Sequence, residues 1–153
     1  MTDKDILMFH YYMFYKPFGC VSARRDSRYP TVMDYFKDLD NPNLSPVGRL
    51  DRQTEGLLII TDDGRWNQLM THPEILPSLH PEVQALTTHN RPDHPVVMGR
   101  ITITEGRKRQ IRRILKTAGC CVIRLKRISI DNIRLDESLK PGEWKTIQIS
   151  INA

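Results

Sequence analysis

Asp51 stands between arginines in Gly48-Arg49-Leu50-Asp51-Arg52-Gln53-Thr54-Glu55-Gly56-Leu57-Leu58. A guanidinium close to a carboxylate favours its ionised form, and an ionised carboxylate held in a turn is equipped to act as a nucleophile or a base. An Asp in a turn also serves as a helix cap or as a loop ion-pair partner. The segment alone leaves both readings open.

The second candidate is a run of cations. Glu105 to Arg127 holds nine of the 23 Lys/Arg residues and one carboxylate, in a chain of net charge +5. In Glu105-Gly-Arg-Lys-Arg-Gln-Ile-Arg-Arg-Ile-Leu-Lys-Thr-Ala-Gly119, Ile111, Ile114, Leu115 and Ala118 repeat at the spacing of a buried helix face. Arg109, Arg112, Arg113 and Lys116 repeat at the same spacing on the other side. Neighbouring like charges on a helix repel by a few tenths of a kcal/mol per pair, so the stripe is best explained by an anion that faces it. A phosphate backbone is such an anion; a solvated helix face is the alternative.

Other reactive side chains argue for little. Cys20, Cys120 and Cys121 are odd in number, the adjacent pair cannot bridge without severe strain, and no CxxC spacing suggests zinc. Reduced thiols packed as small hydrophobes are expected. His72, His80, His89 and His94 fit no common ligand spacing, and prolines separate them, so no metal is expected.

The elements that must position Asp51 and the basic stripe follow from apolar patterning. The chain has 153 residues, 39% hydrophobic and 27% charged, the composition and length of one ordinary globular domain. Its longest apolar run, Gly56 to Ile60, is far too short to span a bilayer, and the amino terminus shows no signal-peptide pattern; a cytoplasmic protein is expected. An aromatic strand over Phe9 to Tyr15 enters a turn at Lys16-Pro17-Phe18-Gly19. Ala23 to Pro30 reads as a polar loop with three arginines, and Thr31 as the N-cap of a short helix reaching Phe36. A strand near Val47, a polar elbow from Asp51 to Glu55, a buried strand from Leu57 to Thr61 and a short helix from Arg65 to Thr71 come next. His72 to Pro95, with five prolines, reads as a long irregular loop. Strands over Val96 to Thr104, Val122 to Ile130 and Trp144 to Ile151, and a helix from Glu105 to Ala118, complete an α+β class with a mixed, largely antiparallel sheet and flanking helices.

Several segments together resemble one family. They are Lys16-Pro17-Phe18-Gly19-Cys20-Val21-Ser22, the stretch Gly48 to Gly64, Glu105 to Leu115 followed by Gly119, Val122 and Leu125-Lys126-Arg127, and Leu139-Lys140-Pro141-Gly142-Glu143-Trp144. In this order they are similar to the RsuA/RluB/RluE/RluF family of bacterial rRNA pseudouridine synthases. The resemblance covers Tyr12 to Pro73 and Ile101 to Ile149. It implies a pseudouridine synthase-like catalytic domain over residues 1–153, with no separate amino-terminal RNA-binding domain, that isomerises a uridine of ribosomal RNA without metal, flavin or nucleotide cofactor.

By the same resemblance Asp51 is the aspartate that attacks the sugar of the target nucleotide or removes its 2′ proton, and Arg112 is the arginine that pairs with it. Arg49, Arg52, Arg107, Lys108, Arg109, Arg113 and Lys116 are the candidates for gripping RNA, either free or in a partly assembled ribosomal subunit. The family's Lys-x-Tyr, expected after His72-Pro73, has no counterpart: residues 73–96 contain neither Lys nor Tyr. A deletion, an altered stretch of sequence, or a compact variant whose stacking ring comes from elsewhere, such as Tyr12 or Tyr15 (otherwise read as core), would each account for this, and a homodimer is one way to cover sheet edges left by a shortened segment, which light scattering would decide. Three functions stay open at this point: an active synthase, an inactive RNA-binding remnant of the same family, and a domain unrelated to RNA.

Overall fold

The computed structural model describes residues 8–71, 81–89, 97–102 and 110–149. Its organising element is β3 (Thr54–Thr61), in which all eight residues are buried. A strand with apolar side chains on both faces has to lie inside a sheet that is covered on both sides, and the Gly-Leu-Leu-Ile-Ile run supplies such a strand. β1 (Tyr11–Lys16) pairs with it antiparallel, Tyr11 opposite Thr61 and Lys16 opposite Gly56.

On its other side β3 meets β6 (Cys120–Ile130) in parallel, with Thr54 opposite Leu125, Glu55 opposite Lys126 and Gly56 opposite Arg127. β4 (Pro81–His89) and β5 (Val97–Thr102) extend the sheet antiparallel beyond β6, and β8 (Trp144–Ile147) closes the far side against β1. The order is β5-β4-β6-β3-β1-β8, with the two-residue β2 (Ser45–Pro46) beside β3 and β7 (Ile133–Arg134) beside β6.

Alternation along β1 and β3 sorts the core into two layers. Tyr12, Phe14, Leu58 and Ile60 pack with Cys20, Val32, Phe36, Leu44 and Leu50 on one face of the sheet. Met13, Leu57 and Ile59 pack with Val47, Trp66 and Ile130 on the other. Trp66 belongs to α1 (Gly64–Thr71), and α2 (Gln110–Thr117) docks Ile111 and Leu115 onto Leu125 and Val122 of β6. The resulting fold is α+β with a mixed sheet, largely antiparallel as its sequence leads one to expect.

Three expectations need correction. The segment read as an irregular loop contains β4, which pairs along its length with β6; its prolines flank residues 82–89 and none lies among them, and Pro81 takes the first strand position, where a missing N–H is tolerated. The polar elbow is shorter than its composition suggests, because Thr54 and Glu55 already belong to β3 and are buried. Tyr12 and Tyr15 are 7% and 3% exposed, so the reading of them as core holds and the alternative that either offers an open stacking ring does not. Thr31 does precede a short helical turn, a 3₁₀ turn over Val32–Tyr35, and there its backbone N–H donates to Asp34 Oδ2 at 3.0 Å. The first residues of the expected basic helix, Glu105 to Arg109, lie outside the described residues, as do residues 103 and 104.

Candidate active site

The Asp51 elbow links Leu50, buried in one core layer, to Thr54 at the head of β3. Ser22 fixes its entry: the Oγ donates to Leu50 O at 2.9 Å and accepts from Leu50 N at 3.0 Å. The turn itself is closed by Thr54 N–H donating to Asp51 O at 2.9 Å. Beneath it the Pro17–Gly19 turn contributes a Gly19 N–H bond to Arg52 O at 2.8 Å.

Lys16 is the central support. It ends β1 with no solvent exposure, and its Nζ donates to Thr54 O at 2.7 Å, Pro17 O at 3.1 Å and Arg52 O at 3.4 Å. Burial pulls its pKa down from 10.5 to about 8, against the attraction of Cys20, Asp51 and Glu55. At neutral pH it is therefore an ammonium ion under the elbow.

This burial has a consequence for stability. From about pH 8 to 10.5 the unfolded chain retains the Lys16 proton while the folded chain has lost it. The unfolded state binds more protons in that window, so the Lys16 contribution to stability rises with pH there. Relative to Lys16→Met, whose side chain does not titrate, the wild-type protein should gain roughly 3 kcal/mol across the window. Parallel urea titrations of the two proteins at pH 7.5 and 10.5 check this, and an unchanged difference would show that burial does not lower the Lys16 pKa.

From the opposite side α2 reaches the elbow through Arg112, whose Nη2 donates to Gln53 O at 2.7 Å. The resemblance implies a pair between Arg112 and the Asp51 carboxylate; the bond seen here goes to the backbone of the same elbow, two residues later. Arg49 is exposed and Arg52 half-buried at the elbow, and Arg113 and Lys116 are exposed on α2. Arg107, Lys108 and Arg109 lie outside the described residues, as do His72, His80 and His94.

A second cluster, not anticipated from sequence, lies where the elbow enters the sheet. Glu55 accepts Tyr15 Oη at 2.7 Å and is held by both ends of the Arg124 fork, Nη2 at 2.5 Å and Nε at 2.9 Å. Burial opposes ionisation of Glu55, but the bonds from Arg124 and Tyr15 outweigh it and keep its carboxyl below the ordinary value. Burial and the carboxylate together push Tyr15 up to about 12. Lys126 Nζ lies 4.8 Å from the centre of the Tyr15 ring. No sequence signal marked it: Glu55 closes the polar stretch Asp51 to Glu55, and only the sheet shows that it is buried and so requires a partner. That partner comes from β6, 69 residues away, and spacing could not identify it.

Comparison with known proteins places this geometry. The family model for RNA pseudouridylate synthase matches residues 10–77. The ribosomal small subunit pseudouridine synthase A of Pseudomonas aeruginosa is 34% identical over 161 residues, taking in 90% of this chain and 70% of that protein. The protein of the same name from Escherichia coli is 35% identical over 164 residues, with the same two coverages. Among solved structures, a pseudouridylate synthase superimposes with a TM-score of 0.79 at 27% identity, over 92% of this chain and 71% of that one. A chain of the archaeal box H/ACA sRNP Nop10–Cbf5 complex shares the fold, with a TM-score of 0.66 at 16% identity.

Proposed function

The chain belongs to the RsuA family of RNA pseudouridine synthases, and from that premise we propose that it converts one uridine of ribosomal RNA to pseudouridine with Asp51 as the catalytic carboxylate. The observation that carries the reading is the elbow: a half-exposed aspartate whose neighbours on both sides are pinned by Ser22, Lys16, Gly19 and Arg112. A catalytic group contributes most when its position is set before substrate arrives.

In this reading the bond from C1′ to uracil N1 breaks as Asp51 either bonds to the sugar at C1′ or removes its 2′ proton; the base turns, and C1′ joins C5 as the bond to Asp51 breaks or the 2′ proton is returned. The C5 proton leaves and N1 gains one, so atoms and electrons balance without an external oxidant or reductant. The reaction needs a uridine taken out of its stack, at a cost of a few kcal/mol. Arg49, Arg52, Arg113 and Lys116 supply cations around the elbow to offset that cost through phosphate contacts, with Arg107, Lys108 and Arg109 continuing the same basic segment in sequence.

The relatives named above are enzymes of the ribosomal small subunit, and small-subunit RNA, free or partly assembled, is the proposed substrate. Release of tritium from C5-labelled small-subunit RNA, compared with large-subunit RNA, tests this; release from the large-subunit RNA alone would refute it. One observation favours a second reading, an inactive RNA-binding remnant. The alignment with the Pseudomonas protein runs over 161 residues yet takes in 90% of a 153-residue chain, so the relative carries residues that are missing here, and residues 73–96 hold neither Lys nor Tyr. RNA binding without tritium release would establish it.

Arg112 and Arg113 are adjacent in sequence but differ in direction, and their substitution should separate two roles. Arg112→Ala removes the bond to Gln53 O and should lower kcat roughly a hundredfold with a small change in KM. Arg113→Ala removes an exposed cation and should chiefly weaken RNA binding, reducing its salt slope by about 0.7 to 0.9. Equal effects of both on binding alone would remove Arg112 from the catalytic arrangement.

A further inference from the structure

Two turns that carry exposed aromatic side chains close on Arg52, next to Asp51. Phe18 is 58% exposed in the turn after β1. Gly19, at φ +104°, donates its N–H to Arg52 O at 2.8 Å, which ties the turn to the elbow with the Phe18 ring left in solvent. Tyr29 is 40% exposed, and the Arg52 guanidinium lies 4.5 Å from the centre of its ring.

The loop that carries Tyr29 is built rather than loose. Val21 and Thr31 close its base, with Val21 N–H donating to Pro30 O and Val32 N–H to Val21 O, each at 3.0 Å. Its tip is wound around Asp26, whose Oδ1 accepts Arg28 N–H at 2.7 Å and Tyr29 N–H at 2.9 Å. Arg25 and Arg28 are exposed on it.

A large ring in water gains by covering its face, and bases of unpaired nucleotides stack on aromatic rings and guanidinium planes while cations take the adjoining phosphates. A peptide or a lipid surface would not use alternating rings and guanidinium groups beside a carboxylate in this way. We propose that Phe18 and the Arg52–Tyr29 stack form a ledge for the unpaired nucleotides flanking the target uridine, with Arg25 and Arg28 on their phosphates. The inference rests on the reading of the chain as an RNA-modifying enzyme. It also supplies, outside the sheet, the stacking surface that buried Tyr12 and Tyr15 cannot provide.

The test is fluorescence anisotropy of the full chain, in an Asp51→Asn background, with a labelled single-stranded RNA of about ten nucleotides and the same RNA as a duplex, over a range of salt. Phe18→Ala should weaken single-strand binding roughly tenfold or more and leave the duplex and the salt slope unchanged. Phe18→Trp should restore it, which a role in folding alone would not predict. Arg25→Ala with Arg28→Ala should instead lower the single-strand salt slope by about 1.4. Single-strand affinity within twofold of the parent in Phe18→Ala, or no recovery in Phe18→Trp, would overturn the ledge. Because binding is read without turnover, a ledge that stands while the Asp51 protein releases no tritium counts against the catalytic reading only, and the converse counts against the ledge only.

Discussion

Asp51→Asn should reduce pseudouridine formation by roughly 10⁴-fold or more while leaving the fold and RNA affinity near those of the parent. The substitution keeps side-chain volume and planarity and removes the nucleophilic or basic oxygen. The elbow bonds all run through backbone groups or through other side chains: Thr54 N–H to Asp51 O, Gly19 N–H to Arg52 O, Lys16 Nζ to Thr54 O, Arg112 to Gln53 O. None of them uses the Asp51 carboxylate. Stability is therefore expected to change by less than about 1 kcal/mol, and a loss of activity cannot be blamed on unfolding. Tritium release from C5-labelled rRNA, beside a thermal melt and an RNA-binding isotherm, reads all three quantities. Turnover of the Asn protein within tenfold of the parent would remove Asp51 from the chemistry.

The largest effect on stability is expected at Gly56→Ala. Gly56 sits in β3 at φ +110°, and a Cβ there would lie 2.2 Å from Arg127 O and 2.7 Å from Arg127 N. Two costs add. A residue with a side chain is strained at that φ by about 1–3 kcal/mol, and separating two hydrogen-bonded strand backbones to admit a methyl adds roughly as much again. The sum, about 3–5 kcal/mol, is a large part of the 5–15 kcal/mol that holds a typical domain together, and should lower the melting midpoint by roughly 10 °C. Gly56 faces Arg127 in the parallel β3–β6 register, one residue beyond Glu55 opposite Lys126, so the Glu55–Arg124 fork would be displaced too. Calorimetry checks the prediction, and a melting point within 2 °C of the parent would show that the two strands can part at little cost.

Much of the fold was legible because it rests on local pattern. The Gly-Leu-Leu-Ile-Ile run reads as a buried strand and the aromatic run before Lys16 as another, and of the expected apolar helix face Ile111 and Leu115 dock on β6 while Ile114 and Ala118 are exposed. β4 was missed because five prolines in 24 residues were averaged over the whole segment, whereas strand pairing asks only that none fall inside residues 82–89. The tyrosines of β1 read correctly as core from their place in an aromatic strand, but the side of the sheet each takes and the layer that covers it were not visible in the sequence.

The sequence by itself determined the types of group available: a carboxylate among cations at Asp51, a basic stripe on α2, a buried inner strand beginning at Thr54. Those follow from composition and spacing, which act through neighbouring bonds. Only the tertiary structure decided who supports whom. Lys16 comes to lie under the elbow because β1 pairs with β3 out to Gly56, Arg124 reaches Glu55 because β6 runs parallel beside it, and the loops that carry Phe18 and Tyr29 meet at Arg52 because one closes on its backbone carbonyl and the other on its guanidinium. These contacts join residues tens of positions apart, and burial is what gives them their strength: a charge or ring taken out of water must find its partner in whatever strand the sheet has placed next to it.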